Sequence, residues 1–177
     1  TDGRLLAVVG TSTAGPLNTP ATYARAKDLA ADFGSGEGVE FAAYYIDRYS
    51  RPVLFVRADT SIAAAVSTVG HDSDGTSVIT IANGAAPIDN YELALEFLTG
   101  GTIGVAGITY RVSYDNGRNW SPTRALGTAN AIALAEGVTF ALAAGTVVAG
   151  DVHTARATAE QWNSADLLAA LAPLRVT

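Results

Sequence analysis

The spacing of apolar residues changes partway along this sequence, and this change limits the fold more than any other feature. Up to about Asp59, short apolar runs alternate with stretches of helix-forming residues. Beyond it, Thr, Val, Gly and Ala dominate and apolar residues recur at every second position, which is the period of a strand with one buried face. We therefore expect one region with helices packed on a sheet and another built of antiparallel strands.

The first region has the order strand, helix, helix, strand. Residues 5–9 and 52–58 are apolar runs typical of buried strands. Between them, residues 23–33 favour a helix that ends at Gly34, and a second helix follows Gly38. This second helix carries aromatic residues spaced by four, which places them on one face: Phe41, Tyr45 and Tyr49. The order predicts a parallel or mixed sheet with helices packed on it.

The second region is rich in strand and turn signals. Residues 91–97 and 108–114 alternate between apolar and polar side chains. Asp115-Asn116-Gly117 suits a tight hairpin turn, after which Trp120 opens the return strand. Further strands are predicted at residues 77–82, 131–134, 138–142 and 152–158. The pattern favours an antiparallel sandwich or barrel over roughly residues 76–159.

A last helix starts near Ser164, whose side chain can cap the amides of residues 165–167, and ends around Pro173. The Gly/Asp/Ser-rich stretch 67–74 is of the kind that tolerates insertions. We therefore predict a mixed α+β fold of three parts: an α/β segment at 1–72, an inserted β-rich module at 73–160 that is sandwich-like or barrel-like, and a helix at 161–177 that returns to the first segment.

Composition excludes several classes of function. The chain has 11 Lys and Arg against 17 Asp and Glu, a net charge of -6, which repels nucleic-acid phosphates and anionic lipids. No stretch approaches the ~20 apolar residues of a membrane span. The absence of Cys excludes disulfides and cysteine nucleophiles. We expect neither a nucleic-acid nor a membrane partner. Because the sequence lacks Met and begins with Thr1, we also expect it to be a piece of a longer protein.

Residues 10–15, Gly-Thr-Ser-Thr-Ala-Gly after a buried strand, have the outline of a phosphate loop. Pro16 and Leu17 follow where a nucleotide site needs Lys and a hydroxyl, so a loop at the sheet edge is favoured. A second glycine set matches a dinucleotide fingerprint only in spacing, and a loop between helices is favoured there: Gly34, Gly36 and Gly38. The sequence therefore predicts no nucleotide cofactor.

The sequence signals for metal sites and for acid-base catalytic sites are equally weak. Asp72, Asp74 and Gly75 partly match a calcium loop, but no bidentate Glu follows at the required distance. His71 and His153 are the only histidines, too few for zinc without cysteine unless carboxylates complete the set. We predict no metal ligand, and a plain turn at residues 72–75.

Glu92 and Glu96 share one strand face and could mimic a glycosidase pair, although a solvated sheet face is favoured. Trp120 and Tyr114 could stack on sugar rings or belong to the core. No Gly-x-Ser-x-Gly elbow occurs. We therefore predict no catalytic and no cofactor-binding residue, and a protein that is not an enzyme.

Several of these segments resemble one family. LLAVVGTSTAGPLNTP at residues 5–20, DFG ending at Gly34, FAAYYIDRY at 41–49 and PVLFVRA at 52–58 are similar to the start of the core domain of contractile phage tail sheath proteins. TSVITIANG, TGGTIGVAGITYRVSYDNGRNWS and ALGTANAIAL resemble the β-rich module that some sheath proteins carry as an insertion. Residues 162–174 resemble the helix leading back to the core.

The resemblance implies a structural subunit without an active site. Its expected partners are copies of itself in stacked rings, the tail tube protein, and the baseplate and tail terminator proteins. Its expected location is the contractile tail of the virion, and the host cytoplasm during assembly, with contraction driving injection. Two alternatives stay open: a β-sandwich module of a baseplate or fibre that recognises a glycan or host surface, and an enzyme, which the failed phosphate loop disfavours.

Overall fold

The structure, a computed structural model, describes residues 5–134 and 137–175. Within these residues the elements form two compact units, one running to Ile62 and resuming at Gln161, the other spanning Ala63–Glu160. The mixed α+β class with a C-terminal helix is confirmed. Residues 1–4, 135–136 and 176–177 of the three predicted segments lie outside the described residues.

The first unit is built on a three-stranded sheet. Its strands are β1 (Leu6–Gly10), β2 (Ala21–Tyr23) and β3 (Val53–Arg57). They lie in the order β1-β3-β2, with β1 parallel and β2 antiparallel to β3. The helices are α1 (Ala26–Phe33), α2 (Glu37–Tyr49) and α3 (Ser164–Leu171), the last continued by a 3-10 turn, Ala172–Leu174.

The two faces of this sheet are covered by different helices. Successive strand residues point to opposite faces. Phe55 of β3 accordingly belongs to an apolar cluster with residues of α1 and α2, where its ring meets that of Phe33 edge-on with the centroids 4.8 Å apart. Its neighbour Val56 packs instead with Ala58 and with Ala170 of α3. Both Phe55 and Val56 are fully buried, so β3 is the central strand in packing as well as in order.

Two glycines set the distance between β1 and α2. A Cβ added to Gly10 would lie 2.7 Å from the Cα of Gly38, closer than real contacts allow. The end of β1 and the first turn of α2 therefore touch backbone to backbone. This explains why glycine occupies both positions without any need for a bound phosphate.

The helix boundaries differ from the predictions at two places. The helix predicted from Tyr23 begins at Ala26, because residues 21–23 pair with β3 as an edge strand. The cap of α3 is Asn163 and not Ser164: the Asn163 side chain accepts hydrogen bonds from the amides of Ala165 and Asp166, and the Asp166 carboxylate accepts one from the Asn163 amide. This reciprocal arrangement is a capping box.

The second unit consists of antiparallel pairs. The strands are β4 (Ala65–Val66), β5 (Gly70–Asp72), β6 (Ile79–Ile81), β7 (Tyr91–Thr99), β8 (Gly101–Thr102), β9 (Thr109–Ser113), β10 (Arg124–Ala125), β11 (Ala131–Ala133), β12 (Thr139–Leu142), β13 (Thr146–Val147) and β14 (Val152–Thr158). The largest sheet has the order β10-β9-β7-β14-β4, with β5 also paired to β14; the others are β11-β12-β6 and the pair β13-β8.

One apolar core joins the two larger sheets of this unit. Leu93, Leu95 and Phe97 of β7 are almost completely buried and share a cluster with Ile132 of β11 and Phe140 of β12. The intervening glutamates of β7 stay outside this cluster, as the alternating pattern predicts. A core shared between two sheets is the arrangement of a sandwich.

The second unit begins earlier than the predicted module. Residues 65–72, placed by the sequence in segment 1–72, pair with β14 as β4 and β5. The chain leaves the first unit after Ile62 and re-enters it at Gln161, and these two residues form an antiparallel bridge. The amide of each donates to the carbonyl of the other, at 3.0 and 2.9 Å.

The contact between Gly10 and Gly38 gives a stability prediction. Gly10→Ala should destabilise the first unit by roughly 1–3 kcal/mol, because the added methyl meets backbone that cannot rotate away. The measurement is thermal or urea unfolding. Gly70→Ala is the matched control, since its new Cβ would meet the flexible Thr154 hydroxyl at 3.2 Å and the nearest backbone atom, the Thr154 carbonyl oxygen, only at 3.9 Å. Equal small effects of the two substitutions would contradict the packing described.

Candidate functional site

Residues 10–15, which have only the outline of a phosphate loop and were predicted to be a loop at the sheet edge, are held by the C-terminal end of α1. The amide of Thr13 donates to the Ser35 carbonyl at 2.9 Å, and the amide of Ala14 donates to the Phe33 carbonyl at 3.1 Å. These are amides that a phosphate loop would direct at its ligand. Here they attach the loop to the helix.

The continuation of this loop is anchored by Arg57, the last residue of β3. The Arg57 guanidinium donates to the carbonyl of Gly15 at 2.6 Å. The amide of Asn18 donates to the Arg57 carbonyl at 2.9 Å, and Asn18 has a φ of 53°, in the left-handed region that asparagine tolerates. Two separate segments of the resemblance, the Gly-Pro-Leu-Asn-Thr-Pro loop and the PVLFVRA strand, therefore contact each other directly.

Helix α2 presents aromatic side chains to solvent. Its inner face consists of Val39, Ala42 and Ile46, all buried. On the outer side Phe41 is 56% exposed, Tyr44 63% and Tyr49 57%, and we call these three residues the aromatic face. Tyr45, predicted to share a side with Phe41 and Tyr49, is half-buried, with its ring 4.9 Å from that of Tyr49.

The second unit contains a cavity of about 550 Å³. It is lined by residues between Val66 and Ile81 and by His153 of β14. His153 is only 2% exposed, and its ring lies edge-on to Phe97 at 5.9 Å. Neither of its ring nitrogens has a hydrogen-bond partner within the described ranges 5–134 and 137–175. Burial lowers the pKa of His153, and His71 lowers it further, although Asp151 acts in the opposite direction.

The two histidines of the sequence meet at this cavity. His71 of β5 is the register partner of His153 of β14, and both line the cavity. Their ring centroids are 6.3 Å apart. The sequence identified both residues but not their pairing, since the short strand β5 carries no recognisable pattern.

The segment with a partial calcium-loop pattern is organised by a different residue, Asp151. This buried carboxylate accepts hydrogen bonds from the amides of Asp74, at 2.9 Å, and Val148, at 2.7 Å. Burial would raise the pKa of Asp151, but these bonds and one from the Ser73 hydroxyl lower it below its usual value. Across the residues described, no three His, Cys, Asp or Glu side chains group as a metal site.

The predicted hairpin turn at Asp115-Asn116-Gly117 is a wider loop. Asn116 and Gly117 have the expected positive φ, 57° and 83°. Strand pairing resumes only at Arg124, opposite Tyr110, so the turn is not tight and Trp120 precedes the return strand instead of opening it. The reason is a set of side-chain hydrogen bonds that holds a longer loop.

Ser113 and Asp115 supply those bonds. The Ser113 hydroxyl accepts from the Gly117 amide at 2.8 Å and donates to the Asp115 carboxylate at 2.7 Å. The carboxylate also accepts from the amide of Asn119 at 2.8 Å. These hydrogen bonds, that from the Asn119 backbone first, lower the pKa of Asp115 to about 2. The spacing Ser-x-Asp-x-Gly-x-Asn is the sequence signal that could have revealed this loop.

The remaining candidates have protein partners. The Arg111 guanidinium lies 4.5 Å from the ring centroid of Trp120, and its Nε donates to Glu96 at 2.6 Å. Glu92 forms an ion pair with Arg156 at 3.4 Å. The ring of Tyr114 lies edge-on to Tyr91 with the centroids 5.4 Å apart. Glu92 and Glu96, predicted to lie on a solvated sheet face, are thus each matched by an arginine on a neighbouring strand.

None of the helices within the described residues has the length and apolar character of a membrane span. No protein-family model matches the sequence, and no curated protein matches it. Among solved structures, the chain is similar to the sheath tail protein Lin1278 from Listeria innocua, with 14% identity and a TM-score of 0.35. The similarity covers 96% of this chain and 37% of that one, so the chain spans little more than a third of that protein. These values are too low to assign a fold or a family.

The Asp115 loop gives a pH prediction. A carboxyl group with a folded-state pKa of about 2 and an unfolded value near 3.8 stabilises the fold above the unfolded value. This contribution should fall as pH drops from about 4 and be lost below about 2. In an NMR titration, Asp115 should therefore titrate near pH 2.

Asp115→Asn should remove that pH dependence and lower the melting temperature near neutral pH. Asp89→Asn, at an exposed position of the same unit, is the control. Titration of Asp115 near pH 4 would show that the loop bonds do not form as described.

Proposed function

We propose that this chain is part of a structural subunit of a contractile tail sheath, which polymerises around a tail tube and contracts to drive injection. The observation that carries this proposal is the aromatic face of α2. Three large aromatic side chains, each more than half exposed, lie on the one helix Glu37–Tyr49. Large apolar side chains gathered on an exposed surface are typical of sites that another protein covers.

The position of the resembling segments supports the same proposal. The loop at residues 15–19 and the strand β3 resemble sheath cores in sequence, and Arg57 joins them with hydrogen bonds on both sides of Pro16. The helix end at Phe33 is joined to the same loop through Ala14. The segments that resemble sheath proteins in sequence are thus joined by hydrogen bonds in the structure. A chance match of unrelated segments gives no reason for such contacts.

The bridge between Ile62 and Gln161 supports an inserted second unit. The chain leaves the first unit and re-enters it at two residues that pair with each other, so residues 63–160 are not needed to bring these two ends together. Ser61 reinforces the junction: its hydroxyl donates to Asp166 at 2.6 Å and accepts from the Asn163 side chain at 2.7 Å. The capping residues of α3, Asn163 and Asp166, are therefore also hydrogen-bonded to Ser61, next to the residue at which the chain leaves the first unit.

The proposal includes partners and location but no catalysis. Copies of the chain would stack in rings, contact the tail tube, baseplate and terminator proteins, and belong to the virion tail after assembly in the host cytoplasm. A sheath works by repeated contacts, so it requires no active site. The hydrogen bonds of Thr13 and Ala14 and the ion pairs of Glu92 and Glu96 support this reading.

A second candidate function is a binding module of a baseplate or fibre that recognises a glycan or host surface. The cavity of the second unit favours it. Trp120 and Tyr114 favour it less, because Arg111 lies over the Trp120 ring and Tyr91 packs against Tyr114. Discrete oligomers in electron micrographs would support this candidate, whereas tubes or rings would support a sheath.

The aromatic face gives the direct test. In the full-length protein, Phe41→Ser combined with Tyr44→Ser should abolish tubes seen by negative-stain microscopy while circular dichroism stays unchanged, since both side chains are mostly outside the core. Ile88→Ser, which changes a residue 72% exposed in the second unit, is the control and should leave tubes intact. Normal tubes from the double variant would refute the role given to this face.

The insertion has its own test. Replacing residues 63–160 of the full-length protein by an Asn-Gly turn should give a folded protein that still forms tubes, because such a turn suits two paired antiparallel residues. Circular dichroism and microscopy measure the two outcomes. A folded protein without tubes would make the second unit an assembly element, and an unfolded one would show that the two units depend on each other.

A further inference from the structure

The cavity of the second unit brings together all the imidazole groups of the sequence. The chain has two histidines, and the antiparallel register of β5 and β14 makes them direct partners. Cross-strand partners project from the same face of a sheet. Both rings line one cavity of about 550 Å³, with their centroids 6.3 Å apart.

His153 is the unusual member of the pair. Buried side-chain polar atoms are nearly always hydrogen-bonded. Only 2% of the His153 surface is exposed, yet both ring nitrogens lack a hydrogen-bond partner among the residues described. A neutral imidazole has one ring nitrogen with a free lone pair, and His153 lines the cavity. His71, at the exposed side of the same cavity, can supply a second one.

We propose that His71 and His153 bind a divalent transition-metal ion of the copper and nickel class, with solvent in the remaining coordination positions. Imidazole is a preferred ligand of these ions, whereas calcium and magnesium prefer oxygen. A metal bound at about 2.1 Å from a ring nitrogen lies roughly 3 Å from the ring centroid. Two rings 6.3 Å apart therefore have the separation of ligands on opposite sides of one ion.

The surroundings of the pair admit a cation. Among the described residues, those that line the cavity include no Lys or Arg. Asp151 is close enough to act electrostatically on His153, but its oxygens already accept the amides of Asp74 and Val148. It would thus favour a positive charge without being a ligand. With two protein ligands and no group of three in the described residues, the affinity would be modest.

The bound ion would join the edge strand β5 to β14. Anything that binds the folded state but not the unfolded one raises stability. The inference is independent of the sheath proposal, because it concerns only residues within the second unit. It would hold equally if that unit belonged to a baseplate or fibre protein.

The test uses the complete chain without a polyhistidine tag, near neutral pH. Titration with NiCl2 in a calorimeter should show one site per chain and raise the melting temperature, whereas MgCl2 should do neither. Substoichiometric CuCl2 should broaden the ring-proton NMR signals of both histidines together. His71→Ala should weaken nickel binding about tenfold or more, because one of two ligands is lost.

His71 is the deciding position because it is exposed, so its alanine variant should fold. His153→Gln is a second variant, checked for folding by circular dichroism. Thr68→Ala, which alters the same cavity lining without removing an imidazole, is the control and should bind nickel normally. Absence of nickel binding, undiminished binding by His71→Ala, or copper broadening of only one histidine would each overturn the proposal.

Discussion

The parallel pairing of β1 with β3 is the constraint on which the first unit depends. Parallel neighbours cannot be joined by a tight turn, so the chain needs a crossover, which α1 and α2 supply. The crossover fits against the sheet because Gly10 and Gly38 allow backbone contact. The far end of β3 then provides Arg57, which fixes the loop that follows β1. One central strand thus determines the position of the helices, the loop and, through Val56, the returning helix α3.

Much of the fold could be predicted in the elements where burial of one face makes apolar side chains recur at regular intervals. Strand β7 alternates because one face lies in the core, and Gly34 ends α1 as its sequence position indicates. Three of the shortest strands, β2, β4 and β5, were not predicted, since they form only because a distant partner is present. Strands β4 and β5 exist through their pairing with β14, and β2 through its pairing with β3. The Asn163 cap was missed because Asn and Ser are adjacent and both suit a helix start.

The candidate sites were visible in the sequence only as isolated residues. Helical spacing places Phe41 and Tyr49 on one side of α2, but it does not say whether that side faces the sheet or solvent. Similarly, Glu92 and Glu96 were recognised as neighbours on one face, whereas their arginine partners lie on other strands and depend on register. The pairing of His71 with His153 depends on register in the same way. In each case the missing information is a contact between residues distant in sequence.

The bridge between Ile62 and Gln161 has a consequence for how such a chain can change over generations. The entropic cost of closing a loop grows only slowly with its length, so the sequence between paired ends can lengthen, shorten or be exchanged at little cost to the unit that holds those ends. Substitutions between residues 63 and 160 can then be selected for what they present to the surroundings, while substitutions around β3 remain constrained by packing. The same junction is a natural place to graft a foreign domain whose own termini lie side by side.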